Sequence, residues 1–223
     1  MTILTKPPII GALLALFIVG WVIGGPANAI EAEIMRSMAE IRSASPSLTA
    51  MAGGVTALGS AYVTLGVASL ASLWLLLHRA PARALMLALI VLAERLLVDG
   101  LKEWIGRARP TYGLDWLPHS MAFPSGHSAN SMTAFLATAL ILAPPEKRGP
   151  WATGAVVLAV VVGLSRIYLG VHWPSDVVGG WTLGLLAVSS ALAVGLRSGA
   201  LRFEPQHQIV GGHRPAGGED EAA

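Results

Sequence analysis

The sequence predicts an all-α protein, a polytopic membrane bundle of about six transmembrane helices. Three observations carry that expectation. Only 13% of the 223 residues are charged and 54% are hydrophobic, against about 25% charged in an ordinary soluble domain. The apolar residues come in long blocks: Ile9–Gly25, Leu48–Leu77, Ser128–Pro145, Trp151–Ser165 and Val177–Leu196 contain no Asp, Glu, Lys or Arg, and runs of roughly 17–25 such residues match the thickness of a bilayer. A sixth block, Arg83–Leu101, is apolar at first and then carries Glu94, Arg95 and Asp99.

Taken in order, the expected spans are about 7–25, 48–77, 83–103, 125–145, 150–167 and 175–197, within a single membrane domain over 1–203. Lys6, the apolar run after it and "PANA" ending at Ala29 also resemble a secretory signal with a small-residue cleavage site; the length of the run favours a retained first helix. Between the first two spans, Ile30, Ile34, Met38 and Ile41 recur at helical spacing, with Glu31, Glu33, Arg36, Glu40 and Arg42 mostly elsewhere. That pattern fits a short helix at 30–43 lying in the interface, or a helical extension of the second span. From Glu204 the chain is polar and rich in Gly and Pro, a composition that predicts a disordered cytoplasmic tail over 204–223.

Cysteine is absent, which removes disulfides, thiolate zinc sites and thiol nucleophiles. A net charge of +2 is too small to argue for nucleic acid as a partner. With six spans, Lys6, Arg79, Arg83, Lys147, Arg148, Arg197 and Arg202 fall on one side and Arg36, Arg42, Lys102, Arg107, Arg109 and Arg166 on the other. The tally becomes lopsided once Lys102, Arg109 and Arg166 are set aside for another task, and the positive-inside tendency then puts both termini in the cytoplasm.

Ends of odd spans and starts of even spans share one side of a membrane. Lys102 ends the third expected span and Ser125 to His127 open the fourth. Arg166 closes the fifth, and His172 and Asp176 precede or open the sixth. Segments spread over about 75 residues therefore converge on one face, expected to be extracytoplasmic.

That face combines three cations (Lys102, Arg109, Arg166), two histidines (His127, His172), one carboxylate (Asp176) and the helix entry "PSGH". Charges near a bilayer are costly and mark a site or pair with each other. Three cations beside one carboxylate make an anion hole; arginine suits phosphate oxygens bidentately and lysine acts as a point charge. Ser125 and Gly126 open a helix whose free N–H groups can bind an anion. Two histidines at a phosphate site suggest covalent transfer, one attacking phosphorus and the other protonating the departing oxygen. His172 and Asp176 are spaced i, i+4, so the carboxylate can orient the imidazole. The chain has four widely separated aspartates, so this scheme uses no metal and no cofactor.

Each residue also has a plainer reading. A lone interfacial histidine is commonly a hydrogen-bonded helix end, and Arg109 and Arg166 could be snorkelling anchors. Arg95, Asp99 and Lys102 fall at i, i+4 and i+7, which suits a structural ladder in which Arg95 and Asp99 steady Lys102.

The same residues form a three-part pattern: "KEWIGRARP" (Lys102–Pro110), "PSGH" (Pro124–His127) and "SRIYLGVHWPSD" (Ser165–Asp176). In order and spacing it resembles the signature of the type 2 phosphatidic acid phosphatase family, relatives of the vanadium haloperoxidases; the hydropathy argues against that soluble branch. The resemblance implies a lipid phosphatase in which His172 becomes phosphohistidine, Asp176 orients it and His127 protonates the leaving group. It also implies that Lys102, Arg109, Ser125, Gly126 and Arg166 hold the phosphoryl group, without metal.

The function expected is hydrolysis of a lipid phosphate, with the bilayer and that lipid as partners, in a bacterial-type inner membrane. Phosphatidic acid, phosphatidylglycerol phosphate, undecaprenyl pyrophosphate and the lipid A phosphates all fit. The loop 111–121, with Trp116 and His119, and the segment 30–43 are where headgroup selection is expected. The alternatives are a phosphotransferase using the same intermediate, and a protein that binds or transports lipid phosphates without chemistry. Binding alone needs the cations but not the His172–Asp176 pair.

Overall fold

The structure is a computed structural model and describes residues 4–112 and 120–197. The tail at 204–223 and most of the 111–121 loop, including Trp116 and His119, lie outside the described residues.

Among the described residues the chain forms eight α-helices and one 3-10 turn: α1 (Pro7–Ile23), α2 (Ala29–Ala44), α3 (Pro46–Ala57), α4 (Ala61–Leu77), α5 (Pro81–Ile105), α6 (Gly126–Leu142), a 3-10 turn at Pro145–Lys147, α7 (Arg148–Tyr168) and α8 (Pro174–Arg197). Prolines at the first or second helical position open α1, α3 and α5, where the missing N–H costs nothing. Gly106, at φ 64, closes α5 in the left-handed region that glycine enters without a Cβ penalty.

The bundle is built around α6, which packs on α4, α5, α7 and α8, while α1 lies along α8 and α3 along α7. Close approach of α8 to α6 depends on Gly180 and Gly184. A Cβ on Gly180 would stand 2.5 Å from the Ser125 carbonyl oxygen, and one on Gly184 2.8 Å from Met132 Cβ. Small residues four apart let two membrane helices meet backbone to backbone. The outer surface is apolar: Leu70, Leu77, Leu85, Leu96 and Val194 each expose more than half their area, far more apolar surface than a protein in water presents.

Pro145–Tyr168 and Pro174–Arg197 are each long and apolar enough to cross a bilayer, and α3 with α4 would make a third such span if the bent pair counts as one. That pair is a departure from the sequence expectation. The uncharged block at 48–77 is not one helix but two, bent by 41°. Gly59, between them, sits where a Cβ would meet Val162 at 2.4 Å and the His127 backbone oxygen at 3.0 Å, and Ser60 Oγ accepts from Val63 N at 3.4 Å to restart the helix. The break lets the chain pass under the start of α6.

The 30–43 segment is helical, as α2, and Ser45 separates it from α3. Its apolar stripe points outward, with Ile30 and Ile41 exposed, whereas Glu31 and Met35 turn inward and are buried. The burial of Glu31, expected on the polar surface, has a direct cause. Its carboxylate accepts hydrogen bonds from Ser175 N and Gly25 N, each at 2.6 Å, and from Ser175 Oγ at 3.0 Å. It therefore satisfies an N–H at the positive end of α8.

Candidate active site

The C-terminal ends of α5 and α7 and the N-terminal ends of α6 and α8 meet at one end of the bundle. Between them lies a cavity of about 190 Å³ lined by Lys102, Arg109, Gly126, His127, Arg166 and His172, with Arg95, Asp99 and Asn130 also on its wall. Six of the eight residues singled out in the sequence thus face one space. The other two, Ser125 and Asp176, are fully buried directly behind it.

Each cation is held by carbonyl or hydroxyl oxygens that leave its charge unneutralised. Lys102 Nζ donates to the Met121 carbonyl at 2.6 Å. Arg109 donates to the carbonyl of Ser120 at 2.7 Å through Nε and to that of Val171 at 2.7 Å through Nη1. Arg166 Nη1 donates to Thr56 Oγ1 at 2.9 Å, and its buried Nε has no partner. At α6, Ser125 occupies the N-cap but makes no side-chain cap bond; its Oγ instead accepts from Ser128 Oγ at 3.0 Å. The first-turn N–H groups beside Gly126 are therefore uncapped at the cavity, as an anion requires.

The histidine tautomer follows from its neighbours. Arg109 Nη1 lies 3.0 Å from His172 Nε2, and a guanidinium can only donate. Nε2 is therefore the acceptor, with its lone pair toward the cavity, and the ring proton sits on Nδ1, 3.4 Å from Asp176 Oδ2. Burial above all, and then Arg109, Arg166, Lys102 and His127 around it, hold His172 well below the ordinary histidine range. It rests as a neutral base. Burial likewise draws Arg109 down from the usual arginine value, with Asp176 opposing.

Asp176 is anchored on three sides. Its Oδ2 accepts from Trp173 N at 2.9 Å, the third helical position reaching back to the N-cap as in a capping box. Its Oδ1 accepts from Arg107 Nη1 at 2.8 Å. Its backbone oxygen accepts from Ser125 N at 2.9 Å and ties the starts of α6 and α8 together.

A model of the PAP2 superfamily matches residues 83–198, the stretch that supplies all eight of the residues singled out in the sequence. The chain belongs to the PAP2 superfamily. It is 35% identical over 166 residues to phosphatidylglycerophosphatase B of Bacillus subtilis, covering 71% of this chain and 81% of that protein. It is 44% identical over 75 residues to an undecaprenyl-diphosphatase of Sulfolobus acidocaldarius, about a third of either chain (34% of each). Its fold matches the crystal structure of the transmembrane PAP2 type phosphatidylglycerolphosphate phosphatase from Bacillus subtilis with a TM-score of 0.77 and 30% identity, over 84% of this chain and 96% of that one. Together with its apolar outer surface, this makes the PAP2 protein described here an integral membrane protein.

Two buried charged residues behind this PAP2 site carried no functional assignment in the sequence. Arg107, counted there only among the basic residues of its side, is buried. Beyond Asp176 it donates to Ser175 Oγ at 2.9 Å and to the Gly20 carbonyl at 2.9 Å, and its guanidinium lies 4.3 Å from the centre of the Phe123 ring. Glu31 is the other, holding the start of α8 through Ser175. The residue pattern could not announce either, because their partners come from α1, the turn after it and α8. The expected Arg95–Asp99 ladder does not form: neither side chain makes a hydrogen bond or ion pair among the described residues.

Proposed function

We propose that this protein is a membrane lipid phosphatase acting through a phosphohistidine. The observation that carries the reading is the aligned set Arg109, His172, Asp176 at a cavity of cations: a neutral imidazole with its lone pair toward the cavity and its proton toward a buried carboxylate.

A phosphate entering the cavity takes up the Arg109 donor now engaged with Nε2, which frees that lone pair. Nε2 attacks phosphorus, the P–O bond to the lipid breaks, and His127 protonates the departing oxygen. Asp176 stabilises the imidazolium character that develops, while Lys102, Arg109, Arg166 and the α6 N-terminus stabilise charge on the phosphoryl oxygens. Water, deprotonated by His127, then displaces Nε2 and releases phosphate. Ser125 acts from behind, setting the first turn of α6.

The site is read as extracytoplasmic, in a six-span topology with both termini cytoplasmic, in a bacterial inner membrane. The names of its relatives support phosphatidylglycerol phosphate and undecaprenyl diphosphate as substrate candidates, beside phosphatidic acid and the lipid A phosphates. The test is phosphate release by purified protein in detergent, with EDTA, beside a His172→Ala control. Release that persists in chelator and falls at least 10²- to 10⁴-fold in the variant is expected, in the range of a lost catalytic group. Release that survives the substitution would remove His172 as nucleophile. Turnover only in the presence of an acceptor lipid would make the protein a transferase.

A further inference from the structure

The cavity has a cation that the reaction above does not use. Arg95 stands on its wall, seven residues and therefore about 10 Å along α5 below Lys102 on the same face. It makes no hydrogen bond or ion pair among the described residues. Its sequence neighbour Glu94 acts on it only through space: the carboxylate faces a different groove, lined by residues of α1, α5 and α8, and neither of its oxygens has a hydrogen-bond partner. Asp99 shares the cavity wall with Arg95 but does not pair with it. A half-buried guanidinium that makes no hydrogen bond leaves its donors open to an anion entering the cavity.

The surroundings of Arg95 say where that anion would come from. One turn below Arg95 and Ala61 begins a second, mainly apolar groove of about 310 Å³ between α4 and α5, lined by Leu65, Leu73, Val91 and Leu92 among others. Arg95 thus lies between the phosphoryl cradle and an apolar channel. A lipid whose terminal phosphate sits in the cradle and whose chain runs down that groove carries its next polar group past Arg95.

We infer that Arg95 binds a second phosphate, the one that stays on the lipid, and so selects diphosphate lipids, or lipids with two closely linked phosphates, over phosphatidic acid. The inference rests on the phosphatase reading and adds the substrate class. In a diphosphate, Nε2–P forms as the bridging P–O bond breaks, and the electron pair goes to the bridging oxygen of the retained phosphate. That leaving group is itself an anion, and a guanidinium beside it stabilises the charge it gains. The diacylglycerol released from phosphatidic acid has no such group. Asp99, a carboxylate on the same wall, opposes a second anion and limits the gain.

The test compares kcat/KM for a polyprenyl diphosphate and for phosphatidic acid in wild type, Arg95→Ala, Arg95→Lys and Asp99→Asn. Arg95→Ala should lower the diphosphate-to-phosphatidic-acid ratio by about tenfold or more, the scale of one charge-assisted hydrogen bond. Arg95→Lys should restore part of the ratio, and Asp99→Asn should raise it. A ratio unchanged by Arg95→Ala, or both substrates falling in proportion, overturns the inference while leaving the phosphatase intact. Wild-type protein that releases phosphate from neither lipid overturns the phosphatase reading and the inference with it.

Discussion

Arg107 is the residue on which the site's geometry turns. It balances the buried Asp176 carboxylate and is itself held by carbonyls of α1. Arg107→Leu should destabilise the protein by about 3–5 kcal/mol, the usual consequence of leaving a buried charge unpaired. It should lower kcat far more than it raises KM, because it acts through Asp176 and touches no phosphate. Thermal unfolding in detergent and steady-state kinetics check both, and a change confined to KM would deny it the positioning role. Arg107→Lys should rescue little, since one ammonium cannot serve acceptors in two directions. A second expectation concerns pH. Because burial and neighbouring cations lower the His172 pKa, its base form persists in more acid solution than for a free imidazole. The acid limb of kcat/KM due to this group should therefore lie below about pH 6.5, the unperturbed histidine value, and a limb at or above it would contradict the assigned environment. Lys102, Arg109, His127, Arg166 and His172 were legible in the sequence because their types and spacing are chemically particular; Asn130, also on the wall, was not. Arg107 and Glu31 were not, because their function depends on distant backbone atoms.

At the scale of elements, the start of α6 is set by what packs against it. Gly184→Val would push a side chain into Met132 and the Ala129 carbonyl, separating α8 from α6 and spreading His172 from His127. An overpacked core of this kind costs roughly 1–3 kcal/mol, and activity should fall out of proportion to stability. Melting temperature and turnover measured together decide it; wild-type turnover in a destabilised variant would show that the crossing does not position the histidines. Helix existence could be read from the apolar blocks, since hydrophobic length is a one-dimensional property. The break between α3 and α4 could not, because Gly59 is required there only by Val162 and the His127 backbone. The inward turn of Glu31 escaped for the same reason: amphipathic periodicity describes an isolated helix, and α2 buries an acid to cap its neighbour.

At the scale of the molecule, α1 is tied into the end of the bundle that holds the cavity. Gly20 accepts from Arg107, and Gly25 N donates to Glu31. A chain beginning at residue 30 should therefore be less stable and largely inactive, measured as unfolding temperature and phosphate release in detergent. Activity and stability equal to those of the full chain would mark this segment as a removable leader. The convergence of the site at one end followed from counting helix ends, an argument from topology that needs no coordinates; the bent α3–α4 pair and the lattice of hydrogen bonds behind Asp176 needed them. The four helix ends enclose one cavity at a single end of the bundle, and this makes the proposed reaction asymmetric in space. Substrate reaches it from one leaflet only, the dephosphorylated lipid stays in that leaflet, and phosphate leaves on the same side. Lipid in the opposite leaflet is consumed only as fast as it crosses the bilayer, so transbilayer movement, not chemistry, sets how completely such a membrane can be processed.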